Sequence, residues 1–201
     1  MKNKLFLFTL LLLAVITLSC SKDHELKESY FVPDPDNPEL PAYSEWGYNT
    51  FGCFYDRQTF IYDDYTVPLK VIVNDSGTSF DFAGKLSGTD YYNGKMTLRI
   101  KFSDFKPTHY SELADFNQQV VNLEDSAIKV SVILNNVESN VEIISGSIEF
   151  KRAQLLRVDE EELETILSGY FDFKAIINGV PITVSDGRFD VGVGNDNFYI
   201  L

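Results

Sequence analysis

Side chains able to do chemistry are few in this chain, and they are widely spaced. Cysteine occurs at Cys20 and Cys53, and histidine at His24 and His109. A zinc site draws on clustered His and Cys, and beyond residue 45 the chain offers one of each. A nucleophilic triad needs a base and an orienting carboxylate around Ser or Cys. The Gly-x-Ser-x-Gly elbow is absent, and nothing in the spacing joins Cys53 to His109. Carboxylates are abundant: Asp63, Asp64, Asp81, Asp172, Asp186 and Asp190 would suit glycoside hydrolysis if two of them converged at roughly 5–10 Å. Asp81 and Asp172 alternate with phenylalanines, which assigns them to a solvated strand face, and Asp186 occupies a turn-like Ser-Asp-Gly. Asp186-Gly187 with Asp190 is a weak calcium-rim pattern. Asp34-Pro-Asp-Asn-Pro-Glu39 lacks the glycine and spacing of a calcium loop. No catalytic residue, metal ligand or cofactor follows from these patterns.

Cys20 has a more specific context. Lys2 and Lys4 precede an apolar run from Leu5 to Leu18, then Ser19, Cys20 and the polar Ser21-Lys22-Asp23. About fourteen apolar residues suit a cleaved export leader and fall short of the roughly twenty that a membrane-spanning helix needs. Thr17-Leu18-Ser19-Cys20 resembles a lipobox, with Leu18 displaced by one position from its usual place. Cleavage between Ser19 and Cys20 would leave Cys20 as a thioether-linked, diacylated N-terminus, and a second acyl chain turns reversible association into stable anchoring. Cys53 would then have no disulfide partner, and its apolar setting predicts a buried, inert thiol.

Cleavage of residues 1–19 removes Lys2 and Lys4 from the 17 basic residues and none of the 30 acids, which takes the formal charge from −13 to −15. Scattered basic residues outnumbered in this way exclude nucleic acid as a partner, because a phosphate backbone must be met by clustered Lys and Arg. Residues 20–45 carry four of the seven prolines, at Pro33, Pro35, Pro38 and Pro41, without hydrophobic period, and read as a tether. Residues 46–201 read as a single domain.

The elements that must position any site show period-two alternation. Phe51–Tyr55 and Thr59–Tyr62 flank Asp56-Arg57-Gln58 as a hairpin, Leu69–Val73 and Ser79–Ala83 flank Asn74–Gly77, and Asn178-Gly179 supplies the two positive-φ positions of a tight turn. Met96–Phe102, Ile128–Val132, Val141–Phe150, Gly169–Ile177 and Arg188–Val193 continue the pattern, with Phe189, Val191 and Val193 on one face. Ser185-Asp186-Gly187 fits a turn or a bulge, and Phe198–Leu201 an edge strand. Asp159–Leu167 fits a helix with an acidic first turn or a wide hairpin loop, and Ser111–Asn117 fits one helical turn. The expectation is an all-β, antiparallel sandwich or flattened barrel of about nine to eleven strands.

Aromatic residues crowd the first half: Tyr43, Trp46, Tyr48, Tyr55, Tyr62, Tyr65, Tyr91 and Tyr92. Strand packing accounts for most of them. Tyr91 and Tyr92, inside Gly88-Thr-Asp-Tyr-Tyr-Asn-Gly94, are the best loop-tip candidates for ligand contact.

Leu40-Pro-Ala, Asn49-Thr-Phe-Gly-Cys53, Ser168-Gly-Tyr-Phe-Asp-Phe173 and Ile182–Asp190 together resemble an uncharacterised lipoprotein family of the Bacteroidetes. Ser21–Glu25 is similar to the short charged tract that directs such lipoproteins outward. The resemblance implies an outer-membrane, lipid-anchored protein on the periplasmic or cell-surface face and an all-β fold, with no activity attached. The expected function is binding or structural, and the alternative is a glycan-binding accessory protein or glycan-active enzyme of a polysaccharide-uptake system. Expected partners are the membrane, through Cys20, and a glycan or surface protein.

Overall fold

The computed structural model describes residues 27–88 and 94–201. Ser19, Cys20, Tyr91 and Tyr92 lie outside the described residues. Eleven strands account for most of the domain: β1 Thr50–Tyr55, β2 Gln58–Ile61, β3 Leu69–Asn74, β4 Gly77–Leu86, β5 Lys95–Phe102, β6 Val120–Asn122, β7 Ile128–Leu134, β8 Val137–Val158, β9 Glu161–Ile177, β10 Val180–Val193 and β11 Phe198–Ile200. The helical turn expected near Ser111 is a 3-10 helix, Tyr110–Phe116.

Tight turns link the long strands. Asn178-Gly179 joins β9 to β10 with φ of 51° and 78°, as its sequence requires. Asp159-Glu160 does the same between β8 and β9, with φ of 53° and 70°. The stretch 159–167 is therefore neither a helix nor a wide loop. Beyond that turn it is the start of β9, because Glu161–Leu167 hydrogen-bonds to β8 on one edge and, from Thr165, to β10 on the other. Two ladders outweigh the local preference of an acidic first turn. Ser185–Asp186 is a bulge that interrupts the β9–β10 register and bends β10 without ending it.

β4 controls the topology, since it pairs with β5 along one edge and with β3 and then β2 along the other. Pairings run from β4 through β2, β1, β10, β9, β8, β7 and β5 back to β4, so the sheet closes into a flattened barrel. β3 and β11 project from β4 as a flange, and β6 lies on β8. The ladders are antiparallel except β11–β3, which is parallel. Asn197 sets that exception: its side-chain amide donates to the Leu69 and Gly192 carbonyls at 3.0 and 2.9 Å, seating the incoming chain beside β3.

β8 bends by register shifts, one of them between Ile143 and Ser145, just before Gly146, where φ is +140° and a Cβ would stand 2.3 Å from the Asp172 carbonyl oxygen. Only glycine fits there. The curved wall encloses a phenylalanine core. Phe51 stacks on Phe82 at 4.9 Å and on Phe171 at 5.6 Å, and Phe150 meets Phe116 at 4.6 Å and Phe189 at 5.6 Å. Cys53 is fully buried in this wall, and burial raises its thiol pKa far above the ordinary value.

The stretch read as tether behaves differently from residue 27 onward. Leu40 is fully buried, Pro33 bridges Pro41, and Ala42 N–H donates to the Val32 carbonyl at 2.6 Å. Residues 27–49 form a strap across the outside of β9 and β10. Asp81 also departs from expectation: it is buried, because Arg99 on the neighbouring strand clamps its carboxylate at 2.7 and 2.6 Å. Asp172 is exposed, as its alternation with phenylalanine implies.

Truncating Phe150 to Ala should cost about 3–5 kcal/mol of unfolding free energy by leaving a cavity among three rings. Asp172→Ala should stay within about 0.5 kcal/mol of wild type. Urea unfolding followed by circular dichroism measures both.

Candidate functional site

The site is assembled on the outward-facing residues of β10. Alternation places Phe189, Val191 and Val193 in the core and turns Arg188, Asp190 and Gly192 outward. Each of the three holds the strap. Arg188 pairs with Asp34, whose carboxylate also caps the N–H groups of Asp36 and Asn37 at 2.8 and 3.2 Å; these contacts hold the Asp34 carboxyl below its ordinary pKa, the Asp36 N–H contributing most. Asp190 accepts from the N–H groups of Trp46, Gly47 and Tyr48 at 3.2, 2.9 and 3.0 Å and from the Ser44 hydroxyl. Gly192 N–H donates to the Asn49 side chain at 3.0 Å.

Covering β10 in this way also covers the outward residues of β9. Tyr43 stacks on Tyr170 at 4.4 Å, and Gly47 lies over Ile166. One strand position further along is Glu164, only 8% exposed. A Cβ on Gly192 would stand 2.2 Å from its Oε2, so the carboxyl occupies space that only glycine leaves free. It opens onto a pocket of about 550 Å³, lined also by Lys27, Lys70, Glu161, Asp196, Asn197 and Tyr199. That volume falls within the range of small-ligand sites.

Glu164 makes no hydrogen bond among the described residues. Burial, reinforced by the charge of Asp190 and opposed by that of Lys27, raises its pKa from the ordinary 4.5 to about 7. At neutral pH the group thus divides between a carboxylic acid, which donates one hydrogen bond, and a carboxylate, which only accepts. Such a group can bind a hydroxyl or an ammonium, or move a proton.

Around the pocket the surface is aromatic. Trp46 is 76% exposed and Tyr65 84%, and the Tyr30 and Tyr48 rings lie 6.2 Å apart. Backbone bonds hold these segments together: Tyr30 N–H donates to the Tyr48 carbonyl at 2.8 Å, and Ser29 N–H to the Tyr65 carbonyl at 3.3 Å. Trp46, Tyr48 and Tyr65 belong to the first-half aromatic group, whereas Tyr91 and Tyr92, the sequence candidates for ligand contact, lie outside the described residues. Tyr43 is stacked and Tyr55 and Tyr62 pack against the core.

The remaining sequence candidates are not brought together. His109 is exposed at the start of the 3-10 helix, where its ring caps Ser111 N–H, while Cys53 is buried in β1. Asp63, Asp64 and Asp186 are exposed, and Asp190 is committed to the strap. Among the described residues no group of three or more His, Cys, Asp or Glu is placed to hold a metal ion, and no helix is long and apolar enough to cross a membrane. Glu164 escaped the sequence reading because it sits in the acidic run Glu160–Glu164, where nothing local separates the one buried acid from its solvated neighbours.

Removing the acceptor at Asp190→Ala should lower stability by on the order of 2–4 kcal/mol and accelerate amide exchange selectively at residues 44–48, as mass spectrometry would record. Glu164 gives a pH signature. Its folded pKa is raised, so the stability linked to its neutral form is complete below about 4.5 and is lost as pH rises through about 7. Glu164→Gln should therefore match wild type at low pH and exceed it above neutrality by on the order of 2 kcal/mol in urea titrations. No family model, curated protein or solved structure matches this chain.

Proposed function

We propose that this chain is a lipid-anchored binding module of the outer membrane, held by Cys20 and receiving a small hydroxyl-rich ligand, of the saccharide class, at the Glu164 pocket. The observation that carries the binding reading is the Glu164 carboxyl, buried, without a hydrogen-bond partner among the described residues, and opening onto a pocket. The strap shelters this carboxyl from most of the solvent while leaving it open to the pocket, so a ligand that donates to it forms a charge-assisted hydrogen bond in a partly desolvated setting. Vicinal hydroxyls match the two carboxyl oxygens, and Lys70 in the lining adds a donor. The anchor reading is supported by the leader ending at Ser19-Cys20 and by the resemblance to a Bacteroidetes lipoprotein family.

A glycan-active enzyme is the second reading, favoured by the pKa of about 7 at Glu164, which suits a general acid. Binding is preferred because Asp190, the buried carboxyl acting on Glu164, is held by three backbone N–H groups and a hydroxyl and so does not face the pocket as a base or nucleophile.

Titration of the purified domain with a panel of oligosaccharides by calorimetry should show saturable binding that weakens by about tenfold or more in Glu164→Ala, the loss of one charge-assisted hydrogen bond. Release of reducing ends, abolished in Glu164→Gln, would establish the enzyme reading instead, and neither binding nor release would remove the saccharide ligand. Labelled palmitate should enter the full-length chain and not Cys20→Ala.

A further inference from the structure

We infer that the aromatic end of the barrel, carrying Tyr30, Phe31, Trp46, Tyr48 and Tyr65, rests on the lipid headgroups of the leaflet that holds the Cys20 acyl chains. The inference rests on the proposed lipidation of Cys20, and it joins the reach of the chain to the chemistry of the surface.

Reach comes first. Residue 27 is already fixed to the domain: Lys27 pairs with Asp196, and two and three residues later Ser29 and Tyr30 hydrogen-bond to the Tyr65 and Tyr48 carbonyls. Six residues separate Lys27 from Cys20. Fully extended, that connection spans at most about 25 Å. A domain of this size is roughly 40 Å across. A leash of 26 residues would have lifted the domain clear of the headgroups, whereas this one is shorter than the domain is wide. The end bearing Lys27, at the start of β9, therefore faces the membrane, and the opposite end of β9 and β10, at the Asn178-Gly179 turn, faces away.

Surface chemistry points to the same face. Tyr30 is 59% exposed and Phe31 42%, alongside the still more open Trp46 and Tyr65. Trp and Tyr are the residues that settle at a membrane–water interface, where the ring is apolar and its N–H or O–H is hydrated. Exposed acids border the patch at Asp36, Asp63 and Asp64. They oppose deep insertion and contact with anionic lipid, and they favour the ammonium groups of a zwitterionic headgroup layer. The occupant of this face is accordingly a zwitterionic lipid surface, met at headgroup depth.

Trp46 is the single tryptophan of the chain, so its fluorescence reports on this face alone. Full-length lipidated protein would be reconstituted into phosphatidylethanolamine–phosphatidylcholine vesicles with a nitroxide quencher on the headgroup. The expected result is co-sedimentation, a blue shift of Trp46 emission, loss of most of that emission to the quencher, and protection from acrylamide. Protein that sediments and takes up palmitate while Trp46 stays open to acrylamide and unquenched would overturn the inference and leave the anchor standing. The same holds if Trp46 emission responds to oligosaccharide and not to lipid, which would make the rings a sugar platform. Protein that neither incorporates palmitate nor sediments would remove the anchor, and the inference with it.

Discussion

Asp190 holds together the parts of this molecule that bear on function. A carboxylate accepts and never donates, so three converging backbone N–H groups and a hydroxyl satisfy it with no cation required. Because residues 46, 47 and 48 supply those N–H groups consecutively, the bond set fixes backbone path as well as position. Arg188 and Gly192 fasten the strap on either side, through Asp34 and Asn49, so three successive outward positions of one strand hold a segment that has no ladder of its own. The outer face of β9 and β10 becomes a second buried layer. Glu164 owes its burial to that layer, its raised pKa to the burial, and much of its room to the absence of a side chain at Gly192.

Closure of the barrel shapes function by exclusion. β4 engages strands on both edges, which draws the two ends of the sheet together around linked phenylalanine rings. An interior filled to this extent is a core with no room for a ligand, and the barrel is a support whose outside carries the pocket. Strap and flange differ from that core in how they are held. Side-chain bonds and a short parallel ladder secure them, which places them at the lower end of local stability, where surfaces that adapt to a ligand are found.

Alternation in the sequence reports which residues share a face, and it cannot report what covers a face. Phe189, Val191 and Val193 were legible as core for that reason, as were the turn at Asn178-Gly179 and the burial of Cys53. Arg188 and Asp190, on the other face of the same strand, look solvated in sequence and are covered by a segment about 150 residues away. Asp81 fails in the same way, since its cover is Arg99 on the next strand. Prolines at 33, 35, 38 and 41 signal a chain without regular structure, which the strap is, and carry no information on whether such a chain packs. Asp159–Leu167 shows the complementary limit: its acidic start is a local signal, and strand formation there depends on partners supplied by β8 and β10.

Strap, pocket and the proposed anchor converge on one residue. Lys27 lines the Glu164 pocket, pairs with Asp196 at its rim, and lies seven residues from Cys20. On the proposed anchoring, with Cys20 in the leaflet, the pocket would stand close to the membrane plane, and the proposed ligand would reach it along the gap between barrel and headgroups. Such a gap admits a chain end or a flexible strand more readily than a compact macromolecule, because the entrant must thread a space bounded on one side by lipid. The same geometry couples anchorage to affinity. Any pull on the leash acts first on Lys27, whose positive charge favours ionisation of Glu164 when held at the pocket and favours it less when withdrawn. The seating of the strap thus bears on the protonation of Glu164, and Asp190 is the residue that seats it.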